Sequence, residues 1–169
     1  MSSLNHKAAA IRLLLTDCDG VLTDGTVYYS ASGEEMKRFN LRDGMGVERL
    51  RQLAEIEVGI VTGECSPAVQ QRAARLNITE FHEGVKDKAA ALQTILRRYG
   101  LCEEQVAYIG DDTNDLGIMG LVGLTACPAD ALPMVQMVAD VVCGRRGGEG
   151  AFREFAELII AAKCQNGSY

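Results

Sequence analysis

Asp17 and Asp19 stand two residues apart in Asp17-Cys18-Asp19-Gly20-Val21-Leu22-Thr23-Asp24-Gly25, directly after the apolar run Ile11–Thr16. On an extended segment alternate side chains face the same way, so both carboxylates can approach one ligand while Cys18 points elsewhere. A second acidic cluster follows another apolar run, in Gly110-Asp111-Asp112-Thr113-Asn114-Asp115. Brought together, these groups repel one another strongly, because like charges at close range are costly. A hard divalent cation with oxygen ligands relieves the repulsion, and magnesium is the usual choice where a phosphate completes the shell. A carboxylate in such a site can attack phosphorus and divide hydrolysis into two easier steps through an aspartyl phosphate. Thr62-Gly63-Glu64, after a third apolar run, offers a hydroxyl and backbone amides to phosphoryl oxygens, and Lys88 offers a positive charge. Each piece alone is weak, since D-x-D, G-D-D and T-G all occur in ordinary turns. Their occurrence in order, each ending an apolar run or opening a helical one, makes the reading specific.

These residues need a frame that brings them together. Ile11–Thr16, Val58–Thr62, Val106–Ile109, Leu124–Ala126 and Val141–Val142 are nearly continuous apolar runs, as expected of parallel strands covered on both faces. Helical patterns lie between them at Met45–Ala54, Pro67–Leu76, Lys88–Tyr99, Asn114–Met119 and Ala151–Ala162. Ser66 before Pro67 is a helix start, a cap followed by proline at the first position. The alternation predicts an α/β fold with a Rossmann-like parallel sheet, in which ligands bind beyond the carboxyl ends of the strands. One segment departs from it. Thr26–Asn40 has two β-prone stretches around Ser-Ala-Ser-Gly and predicts a β-hairpin flap over about residues 25–40, directly after the first strand.

A chain of 169 residues predicts one domain spanning 1–169, with a loose tail over about residues 164–169. The net charge of −6 argues against nucleic acid as the main partner but leaves room for an anionic substrate at a local cluster of cations. The apolar stretches fall far short of the roughly 20 residues a membrane span needs, and the N-terminus lacks the apolar centre of a signal peptide, so a cytoplasmic protein is expected. Six scattered cysteines without a C-x-x-C pair, and two histidines, argue against structural zinc and for buried reduced thiols.

Taken together, D-x-D-G-V-x-T-D-G, V-T-G, the lysine and G-D-D-x-x-D resemble the four motifs of the haloacid dehalogenase superfamily. Phe39-Asn40-Leu41-Arg42-Asp43-Gly44 and Gly147-Gly148-Glu149-Gly150-Ala151-Phe152-Arg153-Glu154 narrow the resemblance to the 3-deoxy-D-manno-octulosonate 8-phosphate (KDO 8-phosphate) phosphatases and their relatives acting on sialic-acid-type nonulosonate 9-phosphates. It covers about residues 11–163. The resemblance implies a magnesium-dependent phosphatase of a sugar-acid phosphate. Asp17 would be nucleophile and metal ligand, and Asp19 the general acid/base that also ligates magnesium through its carbonyl. Thr62 and Lys88 would bind the phosphoryl group, and Asp111 would complete the metal ligands. Asp112 and Asp115 would sit behind, orienting water and Lys88. Asn40, Arg42, Asp43, Gly44, Gly63, Glu64, Arg72 and Arg75 would line the substrate site.

Many members of the superfamily carry a cap domain, but here Asp19 and Thr62 are only about 40 residues apart. The resembled group is tetrameric, with the hairpin and the C-terminal Gly-rich segment closing an adjacent subunit's site. That implies a homotetramer, with Arg145, Arg146 and Arg153 as candidate contacts in trans, unless Arg153 pairs with Glu157 on its own helix. The chain departs from the eight-carbon pattern at Glu64, where the octulosonate enzymes usually have arginine. Glutamate there, with a basic residue at Arg75, resembles the nine-carbon enzymes. The competing readings are a phosphatase of another sugar phosphate and a non-catalytic receiver-like or phosphatase-like domain. Retention of both motif aspartates speaks for catalysis.

Overall fold

The structure, a computed structural model, describes residues 3–166. The chain opens with α1 (Ser3–Ala10) and β1 (Leu13–Thr16), then forms the hairpin strands β2 (Thr23–Ser30) and β3 (Gly33–Phe39). There follow α2 (Leu41–Ala54), β4 (Glu57–Val61), α3 (Pro67–Arg75), β5 (Glu80–His82) and α4 (Lys88–Tyr99). The last part holds β6 (Val106–Ile109), α5 (Leu116–Met119), β7 (Leu124–Cys127), α6 (Pro133–Gln136), β8 (Val141–Val142) and α7 (Ala151–Asn166). Six strands form one parallel sheet in the order β5-β4-β1-β6-β7-β8, and β2 pairs with β3 as a separate antiparallel hairpin.

β1 shows why the runs are apolar throughout. Leu14 joins the core on one sheet face with Val47, Leu50, Phe152 and Phe155 of α2 and α7, whereas Leu13 and Leu15 join the other with Leu92, Ile95 and Ile118. Each fully buried leucine of this kind contributes about 1.5–3 kcal/mol. The register then fixes the site. Thr16 stands opposite Ile60 of β4 and Ile109 of β6, so the loops carrying Asp17, Thr62 and Asp111 leave the sheet side by side.

The parallel α/β sheet and the hairpin follow the sequence reading, and no cap lies between β1 and β4. Several bounds differ. α2 begins at Leu41, four residues earlier than its apolar pattern, because the Asn40 side chain accepts a hydrogen bond from the Arg42 amide and caps the helix. α7 continues to Asn166, so Cys164, Gln165 and Asn166 are helical, and the remainder of the expected tail, 167–169, lies outside the described residues. α1, β5 and α6 add to the predicted set. Cys18, Cys127 and Cys143 are buried thiols, but Cys65, Cys102 and Cys164 lie at the surface. Among the described residues no helix is long and apolar enough to cross a membrane.

Candidate active site

Asp17 follows β1 without a break, its amide donating to the Ile109 carbonyl at 3.0 Å as though the strand continued. Its carboxylate accepts from the Cys18 amide at 2.7 Å and lies 2.8 Å from Lys88 Nζ. Lys88 is the first residue of α4, placed there by the Asp87 cap, and is almost wholly buried. Its ammonium also lies 2.7 Å from Asp115 Oδ1 and donates to the Tyr108 hydroxyl at 3.1 Å. Tyr108 in turn donates to Asp115 Oδ1 at 2.6 Å, and Asp115 Oδ2 accepts from the amides of Asp111 and Asp112. Asp115 is thereby saturated: it anchors Lys88 and shapes the Asp111 turn, with no lone pair left aimed at a ligand.

Carboxylate oxygens of Asp17, Asp111 and Asp115 all lie within 4.8 Å of one another. Burial and then the Asp115 charge push the Asp17 carboxyl up to about 6, against the opposing pull of Lys88. Burial, Asp17 and Asp115 push Asp111 further, to about 8. Burial works against the Lys88 charge, but Asp17 and Asp115 outweigh it and hold the ammonium above its usual range. Asp111 Oδ1 is buried and accepts no hydrogen bond. An orphaned oxygen among crowded carboxylates is the donor set that a hard divalent cation fits. Gly20 completes the arrangement. Its φ of +84° suits glycine, and a Cβ there would stand 2.0 Å from Asp111 Oδ2.

A cavity of about 290 Å3 opens over this cluster, walled by Asp19, Asp112, Thr113 and Asn114 and by the Thr62-Gly63-Glu64 turn. Thr62 is held in place by its amide, which donates to the His82 carbonyl at 2.9 Å. A pocket that brings a buried carboxylate, a neighbouring lysine and a threonine together holds the groups that phosphoryl transfer through the enzyme needs.

Comparison with known proteins agrees. The family described as haloacid dehalogenase-like hydrolase matches residues 68–153. The 3-deoxy-D-manno-octulosonate 8-phosphate phosphatase of Escherichia coli K12 is 43% identical over 157 residues, covering 93% of this chain and 83% of that one. The chain belongs to the haloacid dehalogenase-like hydrolases. Among solved structures, the Yersinia pestis octulosonate 8-phosphate phosphatase is 42% identical with a TM-score of 0.92, covering 96% of this chain and 87% of that one. The Moraxella catarrhalis phosphatase, solved with magnesium, phosphate and KDO, is 35% identical with a TM-score of 0.93, covering 98% of this chain and 94% of its own.

The hydrolase holds some sequence-predicted residues away from this cavity. Asn40 caps α2 and donates to the Gly148 carbonyl at 3.3 Å, and its own carbonyl accepts from Arg72 at 3.0 Å. Asp43 is buried, accepts from the Arg153 amide at 2.9 Å and is raised to about 6 by burial. Arg72 packs on Gly44 and over the Phe39 ring, and with Arg75 and Glu48 lines a separate depression of about 450 Å3. Glu64 and Arg75 are therefore not paired; Glu64 sits in the loop before α3 and lines the carboxylate cavity, and Arg75 closes the helix on another face. Asp112 does not reach Lys88: its Oδ1 accepts from the Thr113 amide and hydroxyl. Arg153 makes the intrahelical pair with Glu157 at 2.7 Å, and Arg146 lies 3.3 Å from Asp130. Arg42, Arg145 and Arg153 share a third depression of about 230 Å3 with Glu149 and Glu154.

Two residues escaped the sequence reading. Tyr108, inside the apolar run of β6, bonds both Lys88 and Asp115. Lys37, on the hairpin, donates to both oxygens of Asp19 at 2.8 and 2.7 Å. Behind the loop, Gly148 donates to the Val21 carbonyl at 2.9 Å, and a Cβ on Gly147 would stand 1.9 Å from the Gly20 carbonyl oxygen.

Proposed function

We propose that this chain is a magnesium-dependent phosphomonoesterase acting on the phosphate of a 3-deoxy-2-ulosonic acid, with KDO 8-phosphate as the substrate its relatives' names supply. The observation that carries the reading is the buried pairing of Asp17 with Lys88, beside an Asp111 oxygen that has no protein partner. Asp17, Asp111 and the carbonyl of Asp19 would hold magnesium, which when bound supplies positive charge opposite the phosphoryl oxygens. The Asp17 carboxylate attacks phosphorus and the bond to the sugar oxygen breaks, while Asp19 gives that oxygen its proton. Thr62, the Gly63 amide and Lys88 hold the equatorial oxygens as charge spreads over them. Asp19 then takes a proton from water, whose oxygen attacks phosphorus and frees Asp17 and inorganic phosphate. Residues 1–169 act as one cytoplasmic catalytic domain. Exposed Tyr28, Tyr29 and Met36 on the hairpin support assembly into a homotetramer, in which the hairpin and the segment of Arg145 and Arg146 close a neighbouring subunit's site. Asp17→Asn should abolish phosphate release while leaving the thermal unfolding cooperative; near-normal magnesium-dependent turnover by that variant would refute the covalent route.

A nine-carbon nonulosonate 9-phosphate is a second reading, and one observation favours it. Glu64 lines the cavity, where it repels a substrate carboxylate and accepts from hydroxyl or amide groups, and among the described residues it forms no ion pair. A single charge-assisted hydrogen bond to the substrate is worth about tenfold to a hundredfold in kcat/KM. Glu64→Arg should shift the ratio of kcat/KM towards KDO 8-phosphate; an unchanged ratio removes Glu64 as a specificity element.

A further inference from the structure

Lys37 is a buried cation to which the reaction scheme assigns no task. It projects from β3, with 7% of the residue exposed. Its ammonium grips both oxygens of Asp19, at 2.8 and 2.7 Å, and lies 3.7 Å from Glu34 Oε2. Glu34 accepts from the Ser66 hydroxyl, the cap of α3, just beyond the Thr62-Gly63-Glu64 turn. One face of the hairpin thus ties the loop after β1 to the loop after β4. The Asp19 carboxylate also accepts from the Thr23 hydroxyl at 3.3 Å, a longer and neutral contact. Charge-assisted bonds are roughly twice as strong as neutral ones, so Lys37 dominates where that carboxyl group points.

An acid or base must lie within hydrogen-bond reach of the proton it moves, and a misplacement of about 1 Å costs on the order of a hundredfold. We propose that Lys37 is a positioning residue: through its two-pronged grip the hairpin sets where Asp19 stands over the cavity, and so governs the proton-transfer steps. The proposal rests on the reading of Asp19 as the acid/base. Attack by Asp17 does not depend on Lys37, whereas protonation of a sugar alkoxide and activation of water do. A nitrophenolate leaves without an acid, so nitrophenyl phosphate separates the two.

The test uses the full chain with magnesium, and compares Lys37→Gln, Lys37→Arg, Asp19→Asn and the Lys37→Gln/Asp19→Asn double variant. KDO 8-phosphate is followed in steady state, and p-nitrophenyl phosphate by rapid mixing. Asp19→Asn should lower kcat on the sugar phosphate by about 10² to 10⁴; if it does not, the acid/base reading itself fails, independently of Lys37. Given that loss, Lys37→Gln should lower kcat on the sugar phosphate about tenfold to a hundredfold. It should leave the first turnover of nitrophenyl phosphate within about threefold, so that a burst of nitrophenolate precedes a slow steady state. In the Asp19→Asn background its further effect should shrink to less than about twofold, and Lys37→Arg should recover most of the rate. Equal losses in both backgrounds, or equal losses of burst and steady state, overturn the proposal. Should Lys37→Gln fail to fold, Lys37→Met decides: a preserved burst ahead of a slowed steady state supports positioning, and equal losses of the two overturn it.

Discussion

Without a divalent cation, the folded protein keeps a proton on Asp111 up to about pH 8, and on Asp17 up to about pH 6, whereas both titrate from an ordinary value of 3.8. Between those limits the native state binds more protons than the unfolded chain, so stability falls as pH rises. From pH 6 to 8 the change belongs mainly to Asp111, because Asp17 and Asp43, raised only to about 6, are already half ionised at the start of that window, and Lys88, raised from 10.5, is charged in both states. Integrating one proton over that window with a folded midpoint near 8 gives a loss of about 2 kcal/mol, which for a chain of this size lowers Tm by about 4–8 °C. The assay is thermal unfolding in excess chelator at pH 6, 7 and 8, repeated with saturating magnesium and with Asp111→Asn. Magnesium should raise Tm more at pH 8 than at pH 6, since it neutralises the charges whose crowding causes the decline. Asp111→Asn in chelator should show little slope. A Tm that stays level or rises from pH 6 to 8 in the chelated wild type would refute the reasoning, as would an undiminished slope in Asp111→Asn.

Two further outcomes follow from the geometry. Gly20→Ala puts a methyl group 2.0 Å from Asp111 Oδ2 at a φ of +84°; it should weaken magnesium binding measured by calorimetry about tenfold or more, in keeping with strain of about 1–3 kcal/mol. Asp115→Asn keeps the size but turns an amide NH2 towards either the two backbone amides or the Lys88 and Tyr108 donors; urea unfolding should show a loss of about 2–4 kcal/mol.

The clustering of these carboxylates with Lys88 was legible because each member ends or opens an element that the sequence declares. Asp17, Thr62 and Asp111 each follow a strand buried on both faces, and Lys88 follows an Asp87 cap. Tyr108 was hidden by the same rule, since an aromatic residue in an apolar run reads as core, and its hydroxyl finds Asp115 only across the fold. Lys37 was hidden by its surroundings: in a strand that reads Glu-Glu-Met-Lys-Arg nothing distinguishes the one charged residue that turns fully inward. The resemblance set Glu64 and Arg75 in one substrate site, but Glu64 precedes the helix, which starts at Pro67, and Arg75 closes it beside another depression. Asn40 and Asp43 show the opposite confusion. A polar pair at a helix start suits a ligand site, yet Asn40 caps the helix and Asp43 accepts from the Arg153 amide through Oδ1, its Oδ2 being buried without a partner.

The contact of Gly147 and Gly148 with the loop of Gly20 and Val21 gives the enzyme a timetable. A chain leaves the ribosome from its N-terminus, so β1 and its two aspartates emerge early, while the glycines that back their loop arrive only after β8. Until then the loop of Asp17 lacks its support, and Asp111 has already arrived to crowd it. The backing of that loop is therefore among the last contacts the growing polypeptide can make, and a product that stops before Gly147 carries Asp17, Thr62, Lys88 and Asp111 without it.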